Sequence, residues 1–388
     1  MIKHILQLLW NKKRSNVLLM LEIFLSFAVL FAVFSFSIYN LRNFSHPAGF
    51  ETKDRFALTL EYQGGKDSAE VAVMLEQLNR ELRNVEFIEE ISTSGYSWPY
   101  SGSLSTTTSD AGGQSISTII AEGDEHFLDV MGLRLLEGRW FNEDTPLSPA
   151  RECVVNKKFI TDYYPGRSMI DSILPINGGI RIVGVIEDYR YRGEFEQPAA
   201  LQFNYIPPAS KNLGGILLKM RPGAPAQAEE QINKLVAGIT KTNNFNIRNL
   251  DEMRRLANRS VWIPMIALLG VCGFLCVNVA MGLFGVLWHN IQKRRSEIGL
   301  RKAVGASSGS ISRQFVMETL VLALLSALPC AVFAIQVPLM KIIPIAPSIL
   351  YEAIALSLLT IIALVVLCTF VPARKAALVQ AAEALHEE

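Results

Sequence analysis

The stretch RRSEIGLRKAVGAS, residues 294–307, is crowded with charge and contains two glycines, yet apolar sequence lies on both sides of it. Residues 261–288 are almost continuously apolar, and residues 315–337 are nearly so. A helix that spans a bilayer needs about 20 apolar residues, and both segments are long enough. The stretch is therefore predicted to be a polar connection between two membrane-spanning helices.

The whole chain contains four such apolar segments, which we predict to be membrane spans at 17–39, 261–288, 315–337 and 351–371. Basic residues cluster before the first span, between the second and third, and after the fourth. Because basic loops favour the cytoplasm, the expected topology has both termini inside. Residues 40–260 and the loop 338–350 are then outside, whereas 289–314 is inside. The first span is expected to be retained, because its apolar core is long and no small-x-small cleavage site follows it.

Composition and motifs exclude several classes of function. Half of the 388 residues are hydrophobic and 19% are charged, below the roughly 25% of soluble domains. The net charge of +1 gives no global field for nucleic acid, so no nucleic-acid partner is expected. The sequence contains no G-x-x-x-x-G-K-[ST] loop, no G-x-S-x-G elbow and no H-E-x-x-H pair. We therefore predict no catalytic, cofactor-binding or metal-ligating residues on this chain.

The region 41–259 carries one secondary-structure pattern twice. Strand, helix and strand follow each other at 56–62, 69–82 and 85–91, and again at 215–220, 224–239 and 245–250. Two βαβ units of this kind predict one α+β lobe, made of 41–95 and 198–259, with a second lobe, 96–197, inserted between its halves. Inside the insertion, the Ser-, Thr- and Gly-rich stretch 101–117 is predicted to be a flexible loop.

Both ends of the chain are predicted to lie on the cytoplasmic side. Residues 1–16 carry apolar side chains at helical spacing, which predicts an amphipathic helix in the membrane interface. A plain cytoplasmic extension of the first span is the alternative. Residues 372–388 form a predicted cytoplasmic tail.

The connection between the second and third spans has the composition of a short helix. Glu297 lies near its N-terminal end and Arg301 four residues later, the favourable order for an ion pair and for the helix dipole. Gly305 is placed to end the helix, and Ser307 or Ser308 can cap the next one. This pattern predicts a rigid amphipathic helix between two tight turns, suited to pass force to a soluble partner. A solvated basic loop is the simpler alternative.

Two polar residues within the predicted spans are candidates for a role of their own. Asn278, in the second span, is expected to hydrogen-bond to another helix. Glu22 lies about one turn inside the first span, where a buried carboxylate is costly and is by default a functional candidate. The alternative is that Glu22 lies near the cytoplasmic interface and meets a basic partner such as Lys293 or Arg295.

Several stretches together resemble one known family. RRSEIGLRKAVGASSGSISRQFVMETLVLALLS, residues 294–326, resembles the signature of MacB/FtsX-type ABC transporter permeases, the mechanotransmission class. DEHFLDVMGLRLLEGRWF, VVNKKFITDYYPG and RIVGVIEDYRYRGEFEQP resemble the periplasmic core domain of the MacB branch. The terminal VPARKAALVQAAEALHEE resembles the family's tail, except that Ala381 and Ala382 stand where a proline is usual.

This resemblance implies an α-helical membrane protein with four transmembrane helices and a bilobed α+β extracytoplasmic domain between the first and second helices. It implies a permease in the bacterial cytoplasmic (inner) membrane that pairs with a separate ABC ATPase. The separate ATPase is also expected because the chain begins 16 residues before its first predicted span. ATP and Mg would then be bound by that partner, and no cofactor by this chain.

The resemblance also implies where the partners bind. The predicted contact with the ATPase consists of Glu297, Gly299, Leu300, Arg301, Lys302 and Gly305. A dimer is expected, formed with a second copy or with a different permease chain and surrounded by membrane lipids. A periplasmic adaptor and an outer-membrane channel are further implied partners in an efflux system.

Three functions are compatible with these observations. The first is a MacB-like permease that exports or extracts a substrate at the outer side, in efflux or in lipoprotein release. The second is an FtsX-like signalling subunit that activates an envelope enzyme without transport. The third is a membrane-anchored receptor without an ATPase, which the charged connection at 294–307 disfavours.

Overall fold

The computed structural model describes residues 13–378 apart from gaps at 61–67, 104, 112, 147–150, 176–178, 208–214, 226, 341 and 344. Most of the predicted interfacial helix at 1–16 and the end of the predicted tail therefore lie outside the described residues. The chain divides into two compact units. We call Asn43–Val261 the α+β unit, and the remainder, up to Arg42 and from Trp262 onward, the helical unit.

The described helices are α1 (Lys13–Phe44), α2 (Ser68–Arg83), α3 (Phe127–Met131), α4 (Lys157–Tyr163), α5 (Ala228–Thr240), α6 (Leu250–Lys293), α7 (Arg295–Ala303), α8 (Ser308–Leu339) and α9 (Pro347–Leu378). The described strands are β1 (Arg55–Leu60), β2 (Ile88–Ser94), β3 (Ser105–Ala111), β4 (Gln114–Gly123), β5 (Leu135–Gly138), β6 (Arg151–Asn156), β7 (Ile173–Leu174), β8 (Ile180–Ile186), β9 (Leu201–Tyr205), β10 (Gly215–Met220) and β11 (Phe245–Asn249).

Four of the described helices, α1, α6, α8 and α9, are long and apolar enough to cross a membrane. The predicted architecture of four spans with an α+β domain between the first and second is thus confirmed. The helices extend past the predicted spans, most of all α6, which has 44 residues. At 1.5 Å per residue α6 is about 66 Å long, roughly twice the thickness of the hydrocarbon core.

The four long helices of the helical unit share one apolar core. Phe27 of α1, Leu283 of α6, Ala327 of α8 and Val365 of α9 are all buried in it. α6 is the least covered of the four, with only 17% of its span buried within the chain. Its uncovered face belongs to lipid or to another subunit.

The first sheet of the α+β unit has the strand order β11-β1-β10-β2, with every neighbouring pair antiparallel. Each predicted βαβ unit is present, and each is split by a strand of the other: β10 lies between β1 and β2, and β1 lies between β10 and β11. This is the split βαβ arrangement of ferredoxin-like folds. Helices α2 and α5 pack on the sheet through buried residues such as Leu78 and Val236.

The second sheet has the order β3-β4-β9-β6-β8-β5, with β7 paired to β8. It includes β9, which lies beyond the predicted end of the inserted lobe at residue 197. The prediction of a flexible loop at 101–117 was wrong, because β3 and the first residues of β4 form a hairpin there. Three consecutive threonines, at 106–108, lie in β3, and threonine favours strands. The turn is stabilised by Asp110, whose Oδ1 accepts a hydrogen bond from the Gly113 N–H at 2.8 Å.

One apolar core of the α+β unit joins both sheets. It combines Leu217 of the first sheet with Phe203 of the second and with Phe127 of α3. Leu250 and Met253, in the first turn of α6, are buried in the same core. The base of the longest helix is therefore an integral part of the α+β unit.

Candidate functional site

The helix α7 occupies the predicted position, and local interactions define both of its ends. Glu297 lies in its first turn, and Arg301 and Lys302 lie in its last turn. Gly305 follows with a φ of +98°, a conformation that favours glycine because it has no Cβ. The N–H groups of Gly305 and Ala306 bond to the carbonyl oxygens of Lys302 and Arg301 at 3.0 and 2.9 Å. These bonds satisfy carbonyl groups that a helix end leaves free.

The next helix, α8, starts directly after this turn with the predicted serine cap. Ser307 has extended backbone angles, and its Oγ accepts a hydrogen bond from the N–H of Ser310. The chain therefore passes from α6 through α7 to α8 with very few residues outside helices. This segment is a built connection rather than a loose basic loop.

A small apolar cluster holds α7 in place. Ile298 of α7 is buried against Ile291 of α6 and against Ile311 and Phe315 of α8. The far side of α7 carries apolar side chains that remain exposed: Leu300 is 58% and Val304 is 82% exposed. Exposed apolar side chains on a rigidly held helix are typical of a protein interface.

The predicted contact residues divide according to exposure. Glu297, Leu300, Arg301 and Gly305 are exposed, and Lys302 is half-buried. Gly299 is buried. The structure thus assembles an exposed surface from Glu297, Leu300, Arg301, Val304 and Gly305, which we call the α7 face.

A chain of polar contacts, of which the sequence analysis predicted only the pair of Glu297 and Arg301, connects α7 to α8. Arg301 donates to Glu297 at 2.5 Å and to Gln314 at 2.7 Å. Gln314 donates to Glu318 at 2.9 Å, and Glu318 also accepts from Arg294 at 2.9 Å. Two of these contacts, Arg301 with Glu297 and Gln314 with Glu318, have the i, i+4 spacing that a helix pattern reveals. The others depend on how α7 folds back on α8.

The two polar candidates of the spans, Asn278 on α6 and Glu22 on α1, both lie at the same part of α6. Asn278 donates from Nδ2 to the carbonyl oxygen of Phe274 at 3.0 Å, within its own helix. That bond uses one of the two N–H donors of the amide, so the expected bond to another helix stays a prediction. The Glu22 carboxylate lies against Gly282, one turn after Asn278, where a Cβ would come within 2.8 Å of Oε2.

Of the two predicted basic partners of Glu22, the structure describes the side chain of Lys293 only. No ion pair joins Glu22 to Lys293 there, and the side chain of Arg295 lies outside the described set. Among the described residues, no group of three or more His, Cys, Asp and Glu side chains is placed to hold a metal ion.

Two family models match the sequence. The model described as the MacB-like periplasmic core domain matches residues 17–235, and the model described as the FtsX-like permease C-terminal matches residues 266–380. The first alone covers more than half of the chain. The first match ends before α6 and the second begins within it, so together they include parts of both units.

Curated relatives agree with these matches. The "Macrolide export ATP-binding/permease protein MacB" of Shewanella sp. (strain W3-18-1) is 26% identical over 241 residues, which is 58% of this chain and 37% of the relative. The protein of the same name from Rhodopseudomonas palustris (strain HaA2) is 24% identical over 229 residues, 57% of this chain and 35% of the relative. The chain thus spans little more than a third of the length of these relatives.

Among solved structures, similarity is found to the periplasmic region of MacB from Actinobacillus actinomycetemcomitans. The sequence identity is 15% and the TM-score is 0.40. The match covers 56% of this chain and 98% of that one.

Proposed function

This chain belongs to the MacB/FtsX-type family of ABC transporter permeases, and from that premise we propose that it converts ATP hydrolysis by a separate ATPase subunit into motion of its α+β unit. The motion exports or extracts a substrate at the outer side of the inner membrane. Residues 17–235, matched by the MacB-like periplasmic core domain, support the exporter branch.

The continuity of α6 is the observation that carries this proposal. The helix starts with Leu250, which is fully buried in the core of the α+β unit, and continues as one helix, with Pro264 inside it, to Lys293. α7 begins only two residues later, at Arg295. A displacement of α7 can therefore reach the core of the α+β unit along one helix, because a helix changes length only at the cost of its backbone hydrogen bonds.

We further propose that the α7 face binds the ATPase. Its buried side is fixed to α6 and α8 by the Ile298 cluster and by the ion pair between Arg294 and Glu318, whose side chains are both only 16% exposed. Its free side presents Leu300 between charged residues. The 388 residues contain no Walker A loop, so the ATPase would hold both ATP and Mg.

The proposed assembly is a dimer with both termini in the cytoplasm. The uncovered face of α6 supports it: Phe274 and Met281 are 67% and 69% exposed, and a Cβ at Gly270 or Gly273 would meet nothing within 4 Å. Small residues allow close helix contact in lipid. The second chain can be a copy or a different permease, and an adaptor and an outer-membrane channel would complete an efflux system.

The function is tested in the full chain together with the ABC ATPase that copurifies with it from bacterial membranes. Export predicts that cells carrying both proteins accumulate less of a macrolide probe such as erythromycin, and that an ATPase-inactive partner abolishes the difference. Release of lipoproteins from spheroplasts would instead identify an extractor. If neither occurs while nucleotide still changes the α+β unit, the FtsX-like signalling function is correct.

Orientation is tested by labelling single cysteines in intact cells. The proposed topology predicts that a cysteine at Ser109 reacts with an impermeant maleimide and that one at Lys302 reacts only after permeabilisation. Labelling of position 302 from outside would contradict the topology.

A further inference from the structure

One loop of the α+β unit touches the ends of both helices that leave this unit for the membrane. The loop follows β8 and contains Arg190, Gly193 and Glu194. It contacts Asn43 at the end of α1 and Arg254 near the start of α6. We call the set Asn43, Tyr100, Arg190, Glu194 and Arg254 the helix clamp.

The contact with α1 consists of two reciprocal hydrogen bonds and a ring stack. Arg190 donates from Nη1 to the carbonyl oxygen of Asn43 at 2.6 Å, and Asn43 donates from Nδ2 to the carbonyl oxygen of Phe195 at 2.9 Å. The rings of Phe44 and Phe195 stack with their centroids 5.1 Å apart. A guanidinium at the C-terminal end of a helix also favours the helix dipole.

The contact with α6 is an ion pair whose carboxylate is buried. Arg254 donates from Nε to Oε1 of Glu194. Tyr100 donates from its hydroxyl to Oε2 of the same carboxylate at 2.7 Å. The Glu194 side chain is only 4% exposed, so its charge depends on these two donors instead of water.

The two contacts are joined within the loop itself. Arg190, which holds α1, also donates from Nη1 to the backbone carbonyl of Glu194 at 2.8 Å, and Glu194 holds α6. Gly193 between them has a φ of +109°, and a Cβ there would come within 2.6 Å of the Tyr100 ring. The loop is therefore fixed by its own backbone, and a shift of one helix end acts on the other through a short chain of bonds.

The helix clamp differs from the contacts that hold α6 in the folded α+β unit, because those contacts are buried and apolar. The base of α6 is already held in the apolar core by Leu250 and Met253. An ion pair with a buried carboxylate is not needed to keep it there, since such pairs are costly to desolvate and seldom add net stability over apolar packing. The clamp instead sets how the end of α1 is connected to the base of α6.

We propose that the helix clamp is the joint through which α1 and α6 move the α+β unit as one body, with Glu194 and Arg254 as its positioning residues. This inference rests on the proposed function. If Glu194 loses its charge, α6 can still transmit a displacement to the core, but α1 no longer follows it. The unit then no longer moves as one body, so its response to nucleotide falls while the ATPase continues to turn over.

The experiment uses the full chain with its ATPase in nanodiscs and three measurements. The first is ATPase rate, the second is thermal unfolding, and the third is amide hydrogen exchange of residues 43–261 with and without ATP and vanadate. The third requires no knowledge of the substrate. If wild type shows no nucleotide-dependent exchange in this region, the proposed function fails, whatever the clamp does.

Matched control variants lie beside the clamp residues. Arg255 neighbours Arg254, but its side chain is 71% exposed and its ion pair with Asp251 is long, at 3.9 Å. Glu196 forms an exposed ion pair with Arg192. In Glu194→Gln and Arg254→Gln we expect the nucleotide-dependent exchange to fall by about fivefold or more, with ATPase rates within about twofold of wild type. Glu196→Gln and Arg255→Gln should behave as wild type.

A conservative variant distinguishes a joint from a structural contact. Arg254→Lys keeps the positive charge beside Glu194 and should recover at least about half of the nucleotide-dependent exchange. Recovery with unchanged ATPase rate supports the clamp. The proposal is overturned if Glu194→Gln and Arg254→Gln keep the full response, or if Arg254→Lys is as defective as Arg254→Gln. Tyr100→Phe, which removes one hydroxyl, should give a milder loss of the nucleotide-dependent exchange. If Glu194→Gln does not fold, a full response in Tyr100→Phe refutes the proposal instead.

Discussion

The segment around α7 and the helix clamp are both polar structures next to long apolar helices, but they are built in opposite ways. The α7 segment is made by neighbours in sequence, with side-chain contacts between residues 4 to 24 positions apart. The contacts of the clamp with the two helices join residues 60 to 152 positions apart. The first is a self-contained unit, whereas the second exists only after the α+β unit has folded.

This difference teaches where each structure is vulnerable. Each local interaction in the α7 segment contributes about 1 kcal/mol or less, and several act in parallel. The contact of the clamp with α6 depends on one buried carboxylate, so removal of a single partner breaks the connection between the two helices. Changes that interrupt the long helices between the two should therefore have the largest effects, and changes to one local cap the smallest.

The largest effect is expected from flexible insertions in the helices that enter the α+β unit. Three glycines after Asn40, in α1, or after Ser260, in α6, would break helical continuity and absorb any displacement. We expect function to disappear while ATPase activity remains. Macrolide accumulation in cells and ATPase rate in membranes measure the two.

The matched control is the same insertion at Gly113, in the turn of the β3–β4 hairpin. Gly113 is exposed, and a Cβ there would meet nothing within 4 Å. Added length in such a turn costs little, so near-normal function is expected. Harmless insertions after Asn40 and Ser260 would show that the α+β unit is a passive binding module.

The comparison also explains what could be predicted from the sequence. The four spans and the short α7 follow from apolar runs, an i, i+4 pair, a glycine and a capping serine, all of which are local signals. The β3–β4 hairpin was missed because Thr108 and its neighbours are polar on both sides, which removes the alternation that identifies a half-buried strand. The clamp was missed because nothing in the sequence near Glu194 shows that Arg254 will be its partner.

The second prediction concerns the α7 face. Leu300→Asp places a charge at the centre of the exposed apolar patch, and Arg301→Glu reverses a charge beside it. Each should weaken ATPase binding by roughly tenfold or more, because both act at an interface, while the Ile298 cluster keeps the helix folded. Copurification of the ATPase and its stimulation by the chain are the measurements.

A charge swap separates docking from local helix stability. The double variant Glu297→Arg with Arg301→Glu restores an ion pair, although in the order that is less favourable for the helix and its dipole. Docking through these charges predicts that the double variant remains defective. Full recovery would mean that the charges act only within α7.

The third prediction concerns pH and the α+β unit. Asp124 is buried and accepts hydrogen bonds from Ser92, Thr93 and the N–H of His126. Burial raises the pKa of Asp124 from its ordinary value of 3.8 to about 6, although the bonds from Thr93 and Ser92 oppose this. Because the folded state holds the proton more tightly, stability falls as pH rises from about 4 to about 6, by roughly 3 kcal/mol.

Urea unfolding of the full chain, followed by the fluorescence of Trp140, measures this effect. Trp140 is a local reporter, since its Nε1 donates to the Asp124 carbonyl oxygen at 3.0 Å. Asp124→Asn should remove this part of the pH dependence. An identical pH profile in wild type and variant would show that Asp124 does not titrate in this range.

The smallest effect is expected from the cap of α8. Ser307→Ala removes the acceptor for the N–H of Ser310 and should cost about 1 kcal/mol in the first turn of the helix. Ser307→Asp keeps an acceptor at the N-terminal end and is the matched control, because a carboxylate there also favours the helix dipole. Hydrogen exchange at residues 308–311 should rise about fivefold in Ser307→Ala and stay unchanged in Ser307→Asp.

ATPase stimulation should change by less than about twofold in both, since the Ile298 cluster and the bond from Arg294 to Glu318 still hold α7 against α8. A loss of stimulation as large as that of Leu300→Asp would mean that the α7 segment, like the helix clamp, depends on a single interaction.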